Sequence, residues 1–438
     1  MMRGMTTPSP AHRATHETVP PTPVALTASL ALAAVLLAGC GASGDTGPTP
    51  STAQPATGAS GPAAPPTEQK RATPRLVATH EGGVLVLDAA TGEQVADLPL
   101  DGYARVNPVG DGRHVAVSTA GGFRILDTGT WERPHGDHSH HYTAPPAWTG
   151  VTIPAREPGH VVAGEGTTAF FDDATGRATL LPTDRVAGPG AEPRTLESAH
   201  PHHGVAVPRP GGAVVTTLGD EKSRTGIVVR DAAGTETARD ERCPGVHGEA
   251  VARDALVVGC QDGVLVADGT GIHKVQAPDA YGRIGNQAGD PRSEIVLGDY
   301  KVDRDATLER PRRVSLVDTA ARSLELVDLP ASYSFRSLGR GPAGEALVLG
   351  TDGKLHVIDQ HSGAITRSVP VVGAWEEPED WHTARPTLRV AGDRAYVTEP
   401  STRRLVVVDL RAGRAVSETR LPHATDELVH VSGEACGE

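Results

Sequence analysis

The sequence predicts an all-β protein built as a single eight-bladed β-propeller over residues 75–438, with a seven-bladed propeller as the alternative. A pattern of three or four mostly apolar residues, then Asp, then a turn recurs eight times from residue 75 onward. A second short apolar run with a turn such as Asp-Gly or Gly-Gly precedes each copy, which is typical of β-hairpins. No segment shows a long period of 3.6 residues.

The eight copies are spaced about 37–59 residues apart, as expected for propeller blades. The Asp ends a strand and begins a turn by accepting hydrogen bonds from nearby backbone, so we assign it no chemistry. Seven blades would result if the copy at Asp172 or Asp231 were an insertion. A strand near 427–431 is expected to pair with 75–78 and close the ring. The repeated residues are Asp88, Asp127, Asp172, Asp231, Asp268, Asp318, Asp359 and Asp409.

The N-terminus has the pattern of a lipoprotein signal peptide over residues 1–39. An apolar run at 24–38, too short for a comfortable bilayer span, ends in Leu37-Ala38-Gly39-Cys40, which resembles the bacterial lipobox. Residues 40–74 are then a lipidated, flexible linker of Gly, Ala, Ser, Thr and Pro. The mature chain is expected outside the cell, anchored through Cys40 to the outer face of the cytoplasmic membrane. An ordinary signal peptide is the alternative.

The overall composition excludes several functions. A net charge of −13 disfavours nucleic acid and anionic membrane surfaces as partners. Four Cys without a CxxC pair exclude a disulfide scaffold and a thiolate zinc finger. Cys243 and Cys260 are expected to form a disulfide that fixes the loop carrying His247, and a thiolate ligand at Cys243 is the alternative. Cys436 is either free or the partner of one of them.

The 19 histidines are the unusual feature of the composition. Many fall in loops that we expect to enter successive blades at one face of the propeller. Imidazole suits zinc, copper or nickel, and zinc is favoured because nothing suggests a redox site. Asp137 and Glu249 are possible oxygen ligands or partners of the ligands. The candidate ligands are His138, His140, His141, His200, His202, His203, His247 and His382.

The isolated histidines are interpreted as structural or solvated side chains, because single histidines commonly are. For the two histidine clusters and His247 we favour metal binding instead, since loops from independent blades bring several imidazoles together only if the repeat register is correct. The isolated residues are His80, His114, His160, His273, His356, His361 and His430.

Three loop motifs resemble those of the AztD-type zinc metallochaperones: residues 135–141, 200–204 and 243–250. The resemblance covers roughly residues 75–435. It implies a non-enzymatic, extracytoplasmic β-propeller, expected to be a monomer, that holds zinc and passes it to the solute-binding protein of a zinc ABC importer. One departure concerns transfer: some members carry a His-rich flexible N-terminal segment, and residues 41–74 contain no His.

Two other functions remain open from the sequence. A metal-dependent hydrolase or lactonase could use a zinc ion to activate water, with Glu249 or Asp137 as the base. A non-catalytic scaffold propeller predicts no tight metal binding. Surplus histidines beyond the four that zinc needs favour a chaperone, because a partner's ligand can then replace one imidazole at a time.

Overall fold

In the described part of the chain, the regular structure consists of 36 β-strands and two short 3-10 turns, at Thr183–Arg185 and Pro210–Gly212. The computed structural model describes residues 65–190 and 192–435. These residues contain no helix that is long and apolar enough to cross a membrane. The predicted signal peptide, Cys40, Cys436 and most of the predicted linker lie outside them.

Eight sheets each contain a path of four antiparallel strands, which run in order from the inner strand outward. Blade 1 consists of β36 (Thr425–Val431), β2 (Arg75–His80), β3 (Gly83–Asp88) and β4 (Gln94–Pro99); blade 2 of β5 (Arg105–Pro108), β6 (His114–Thr119), β7 (Gly122–Asp127) and β10 (Ala147–Pro154); blade 3 of β11 (Pro158–Gly164), β12 (Thr167–Asp172), β13 (Arg177–Pro182) and β14 (Arg194–Glu197).

Blades 4 to 6 follow the same order. Blade 4 consists of β15 (Ala206–Arg209), β16 (Ala213–Gly219), β17 (Arg224–Arg230) and β18 (Glu236–Asp240); blade 5 of β19 (His247–Val251), β20 (Leu256–Cys260), β21 (Asp262–Asp268) and β22 (Gly271–Gln276), with β23 (Gly282–Arg283) pairing with β21; blade 6 of β24 (Gln287–Ala288), β25 (Ile295–Asp299), β26 (Arg313–Asp318) and β27 (Ser323–Asp328).

The last two blades complete the set. Blade 7 consists of β28 (Leu338–Arg340), β29 (Ala346–Leu349), β30 (Lys354–Ile358) and β31 (Ile365–Pro370), and blade 8 of β32 (Thr387–Ala391), β33 (Arg394–Glu399), β34 (Arg404–Asp409) and β35 (Arg414–Arg420). A separate three-stranded sheet contains β1 (Thr67–Gln69), β9 (His138–Thr143) and β8 (Thr130–His135).

The inner strands of neighbouring blades contact one another around most of the ring. Each strand contacts the next in the series β36, β5, β11 and β15. The same is true of the series β19, β24, β28, β32 and β36. Blades 4 and 5 meet in an apolar cluster that contains Val205, Val207, Val246 and Val258. Similar clusters of buried Val, Leu and Ala fill the spaces between other neighbouring blades, since alternate residues of a strand point to its two faces. The predicted all-β propeller is confirmed.

Ring closure joins the two ends of the folded chain. Strand β36 pairs antiparallel with β2, so that Val429 lies opposite Val77. The predicted closing strand is therefore confirmed. This pairing removes the free edge that an open sheet would present.

Seven of the eight repeated Asp residues end the third strand of a blade, or directly follow it. In blade 1, Asp88 Oδ1 accepts hydrogen bonds from the backbone N–H groups of Ala90 and Thr91, which is the turn-forming role predicted for it. Asp172 differs, because it ends β12, the second strand of blade 3. Consecutive strands run in opposite directions, so Asp172 lies at the other end of its blade.

The β8–β9 hairpin is inserted between the third and fourth strands of blade 2. It therefore leaves the blade at the end opposite to the connections that enter the inner strands. Two hydrogen bonds of the C-terminal segment support this position. The Ala435 N–H donates to Glu132 in β8, and the Gly433 N–H donates to the Gly112 carbonyl in the β5–β6 turn. Strand β1 also pairs with β9, so part of the predicted flexible linker is a strand.

Candidate metal centres

Three imidazoles meet where the chain enters the inner strands of blades 3, 4 and 5. His160 lies in β11, His203 just before β15, and His247 at the start of β19. One ring nitrogen from each lies within 4.8 Å of the others. The ring centroids are 5.1 Å apart for His160 and His203, and 5.2 Å apart for His203 and His247. We call this group the inner-strand trio.

A supporting acceptor lies beside Nδ1 of each ring. His203 Nδ1 is 2.5 Å from Asp173 Oδ2, and His247 Nδ1 is 2.7 Å from the Gly285 carbonyl. His160 Nδ1 is 3.5 Å from Glu249 Oε2. In His203 and His247 a proton on Nδ1 leaves Nε2 with the lone pair, and a carboxylate or carbonyl behind a ligating histidine fixes the orientation of its ring. Glu249 Oε2 is buried beside His160 without a hydrogen-bond partner. Two of the three rings are therefore oriented by a hydrogen bond.

A glycine adjoins each histidine of the trio, and two of these glycines allow a supporting group to come close. Gly248 has φ +71°, and a Cβ at this position would lie 2.5 Å from the Gly285 carbonyl oxygen that accepts from His247. A Cβ at Gly159 would lie 2.3 Å from an oxygen of Asp173. A larger residue at either position would push the supporting acceptor away from its imidazole.

Burial lowers the pKa of His247 well below its ordinary value, and the nearby His160 and His203 lower it further. The low-dielectric surroundings and the neighbouring imidazoles both disfavour a charged ring. His247 is therefore neutral at neutral pH and keeps a lone pair for a metal ion.

Cys243 and Cys260 form a disulfide with a Cα–Cα distance of 4.9 Å. Both are fully buried in the apolar cluster between blades 4 and 5, together with Val246. The disulfide links the loop before β19 to the end of β20. It therefore restrains the backbone that carries His247.

A second group of imidazoles lies on the β8–β9 hairpin. His135, His138 and His140 bring one nitrogen each within 4.8 Å of one another, and we call them the hairpin trio. His138 Nε2 is 3.3 Å from His140 Nε2. Their Nδ1 atoms also lie beside carboxylates, at 3.2 Å from Asp137 for His138 and at 2.6 Å from Glu68 for His140. Asp137 is fully exposed and Glu68 is mostly exposed.

The expectation that all these loops lie on one face is wrong for the hairpin. Its position between the third and fourth strands of blade 2 places it at the opposite end of the blades from the inner-strand trio. His141 also lies in β9, but alternation along the strand separates it from His138 and His140. Its Nδ1 is buried without a hydrogen-bond partner.

His200 and His202 are predicted ligands, but neither belongs to the groups of potential metal ligands found in the described part of the chain. His202 is buried against Phe171, and its two nitrogens lie 3.0 Å from the His200 carbonyl and 3.0 Å from Thr217 Oγ1. Both nitrogens are occupied, so His202 supports the loop of His203, while His200 is exposed.

His382 is also predicted as a ligand, but it belongs to none of the imidazole groups found in the described part of the chain. Its ring packs edge-on against Tyr103, and its Nδ1 lies 3.0 Å from Asp380. Its loop joins blades 7 and 8, far along the ring from blades 3 to 5.

Two members of the trios are missed by reasoning from the sequence. His135 belongs to a recognised histidine cluster but is not among the predicted ligands, and His160 is interpreted there as an isolated side chain. A signal for His160 is present: Gly159-His160-Val161 places a Gly-His pair directly at an inner strand. The pairs His203-Gly204 and His247-Gly248 stand at the corresponding points of the next two blades.

Comparisons with known proteins identify relatives that share this architecture. The zinc chaperone AztD of Citrobacter koseri is 28% identical over 370 residues, covering 82% of this chain and 86% of the relative. Its crystal structure superposes with a TM-score of 0.73 at 25% identity, covering 84% of this chain and 100% of that one. The chain resembles AztD in both sequence and fold. No model of a protein family matches the chain.

The AztD likeness confirms the resemblance inferred from the three loop motifs. The apo form of Citrobacter koseri AztD gives a TM-score of 0.71 at 25% identity, covering 84% of this chain and 99% of that one. The dihydro-heme d1 dehydrogenase NirN shares only the fold, with a TM-score of 0.54 at 14% identity over 82% of this chain and 75% of that one. AztD is named a chaperone and not an enzyme, which agrees with the predicted non-enzymatic class.

Proposed function

We propose that this chain is an extracytoplasmic zinc chaperone that holds Zn²⁺ at the inner-strand trio and passes it to the solute-binding protein of a zinc ABC importer. The observation that carries the proposal is the convergence of His160, His203 and His247, with a hydrogen-bond acceptor at Nδ1 of His203 and of His247. Three neutral imidazoles are a common ligand set for zinc, with a fourth position left for water or another ligand. Similarity to a protein named a zinc chaperone supports the assignment.

The fourth coordination position gives a physical route for transfer. A surface cleft opens beside His203 and His247, and it is also lined by Lys222, Arg224 and Arg283. A ligand of the partner can enter from this cleft before an imidazole leaves, so zinc never becomes free in solution. Rigid structural sites with four protein ligands lack such a position.

The hairpin trio is proposed as a second, more exposed zinc site. Its three imidazoles match the donor set of the first site, but it lies at the other end of the blades. Such a site suits capture of zinc or exchange with a partner, because its nitrogens are open to solvent. We also propose that Cys40 carries the lipid anchor and that the protein is a monomer.

A zinc hydrolase is less favoured by the geometry. A hydrolase needs a carboxylate base next to the metal-bound water. Glu249 Oε2 instead lies 3.5 Å from Nδ1 of His160, and Glu249 is not a member of the trio. Asp137 belongs to the exposed hairpin and not to the inner-strand trio.

The proposal predicts that His160→Ala, His203→Ala and His247→Ala together weaken the tightest zinc binding by more than about 100-fold, since loss of an outer partner alone typically costs about 10–100-fold. Competition titration with a chromophoric chelator measures this affinity. The matched control is the triple Ala variant of His135, His138 and His140, which should keep the tight site.

Transfer is tested by mixing the zinc-loaded full chain with an apo solute-binding protein from a zinc importer. We expect zinc to move to that protein faster than to an equal concentration of EDTA. Equal rates would mean transfer by simple dissociation and would contradict the chaperone function. Unchanged affinity in the inner-strand variant would contradict the assigned site.

A further inference from the structure

A third group of potential ligands lies where the propeller ring closes, outside both trios. His80 ends β2, Asp97 lies in β4, and His423 lies in the connection from β35 to β36. One ligand atom from each lies within 4.8 Å of the others. His80 Nε2 is 3.0 Å from Asp97 Oδ1, and His423 Nε2 is 2.8 Å from Asp97 Oδ2. One carboxylate therefore faces two imidazoles.

The two ring nitrogens of His80 both face hydrogen-bond acceptors. Its Nδ1 is 2.9 Å from the Glu81 carbonyl and its Nε2 is 3.0 Å from a carboxylate oxygen. Both neighbours are acceptors, whereas a neutral imidazole has a single N–H to donate. With the proton on Nδ1, the lone pair of Nε2 faces an anion. A cation between them removes this repulsion.

The two imidazoles of the group lie face to face beside the carboxylate. The His80 and His423 rings are stacked, with centroids 3.9 Å apart and planes 4° from parallel. The His80 side chain is only 4% exposed. A single divalent ion held by the three side chains balances the charge of the carboxylate.

Space and access also suit a bound ion. A Cβ at Gly83 would lie 2.8 Å from His80 Nε2, so the glycine keeps this nitrogen uncovered. The His423 side chain is 41% exposed and lies in the connection from β35 to β36, so the site is open to solvent on this side. His80, whose side chain is buried, and the exposed Asp97 belong to strands of the sheet, and His423 completes the site.

We propose that His80, Asp97 and His423 bind a divalent transition-metal ion such as Zn²⁺ and that this ion fastens the closure of the ring. Two imidazoles and a carboxylate, completed by water, form a common zinc ligand set. The ion connects the first blade strand of the chain with the segment that leads into its last strand. It is distinct from the transported zinc, since its role is to hold the fold.

The test uses Co²⁺ as a spectroscopic probe in a full-length chain from which both trios are removed by Ala substitution. This six-fold variant should bind one Co²⁺ with visible d–d bands, and adding His423→Ala should abolish the bands. The matched control adds His361→Ala, an exposed histidine outside all three groups, and should leave them unchanged. Circular dichroism verifies that each variant is folded.

No Co²⁺ binding by the folded six-fold variant would overturn the proposal, as would bands that persist after His423→Ala. The otherwise unmodified chain provides a second measurement if that variant does not fold. Zinc at 100-fold over its Kd should raise the unfolding midpoint through this site by on the order of 3–5 °C. That part of the shift should disappear in His423→Ala and remain in His361→Ala. Equal zinc-induced shifts in the two variants would mean that His423 does not bind zinc, and they would overturn the site.

Discussion

The inner-strand trio and the hairpin trio contain the same three side chains in different surroundings. His203 and His160 are supported by Asp173 and Glu249, whose side chains are each only 18% exposed. The hairpin uses Asp137 and Glu68, which are exposed to solvent. Hydrogen bonds to buried charges orient a ligand strongly, whereas exposed pairs contribute little because water competes for them.

The comparison teaches that the number of histidines does not by itself define a tight site. Three inner strands of the propeller hold one trio, and the disulfide restrains one of its loops. The other trio lies on a single two-stranded hairpin with one short added strand. A preformed site loses less entropy on binding than a mobile one. We therefore expect the inner-strand trio to bind zinc more tightly and the hairpin trio to exchange it faster.

The largest further effect is expected from removing the disulfide. Cys243→Ala with Cys260→Ala should lower the free energy of unfolding by about 3 kcal/mol, as expected for a closed loop of this length. It should also weaken zinc binding at the inner-strand trio, because the loop before His247 loses its restraint. Denaturant titration and chelator competition measure the two effects. If zinc binding at the hairpin trio weakened as well, the loss would be one of overall structure. The disulfide would then not distinguish the inner-strand trio from the hairpin trio.

A smaller effect is expected from the outer partner of His203. Asp173→Asn keeps the shape of the side chain but removes its charge, and it should weaken zinc binding by about 10–100-fold. Asp172→Asn is the neighbouring control, because the Asp172 carboxylate accepts hydrogen bonds from the Glu157 N–H and the Thr175 hydroxyl. Chelator competition compares the two variants. Equal affinities would show that the carboxylate does not orient the ring.

Much of the architecture is predictable from the sequence because its causes are local. Apolar runs with Asp turns specify strands, and their repetition specifies blades, as the β36–β2 closure illustrates. The strand order within a blade is not local. The repeat groups Asp172 with the other turn residues, but it ends the second strand of blade 3. That displacement puts Asp173 beside His203.

The same limitation explains the errors in the candidate sites. Residues 135–141 follow a repeat Asp, and so the sequence predicts that they lead into the next blade. The fourth strand of blade 2 follows them instead, which places the hairpin at the other end. The role of His202 is also hidden in the sequence, because its partners, Phe171 and Thr217, come from two other strands. Only the folded structure distinguishes a histidine that packs from one that binds.

The smallest effect is expected at Glu68, which contacts His140 from the added strand β1. Glu68→Gln removes a solvent-exposed charge, so zinc binding at the hairpin trio should weaken by no more than about fivefold, the equivalent of an exposed ion pair of up to about 1 kcal/mol. Titration of a variant lacking the inner-strand trio isolates this site. Lys70→Gln, an exposed change just beyond the same strand, is the control. A loss as large as that of Asp173→Asn would show that exposed and buried carboxylates orient imidazoles equally well, and the distinction between the two trios would then have to come from the backbone that carries them.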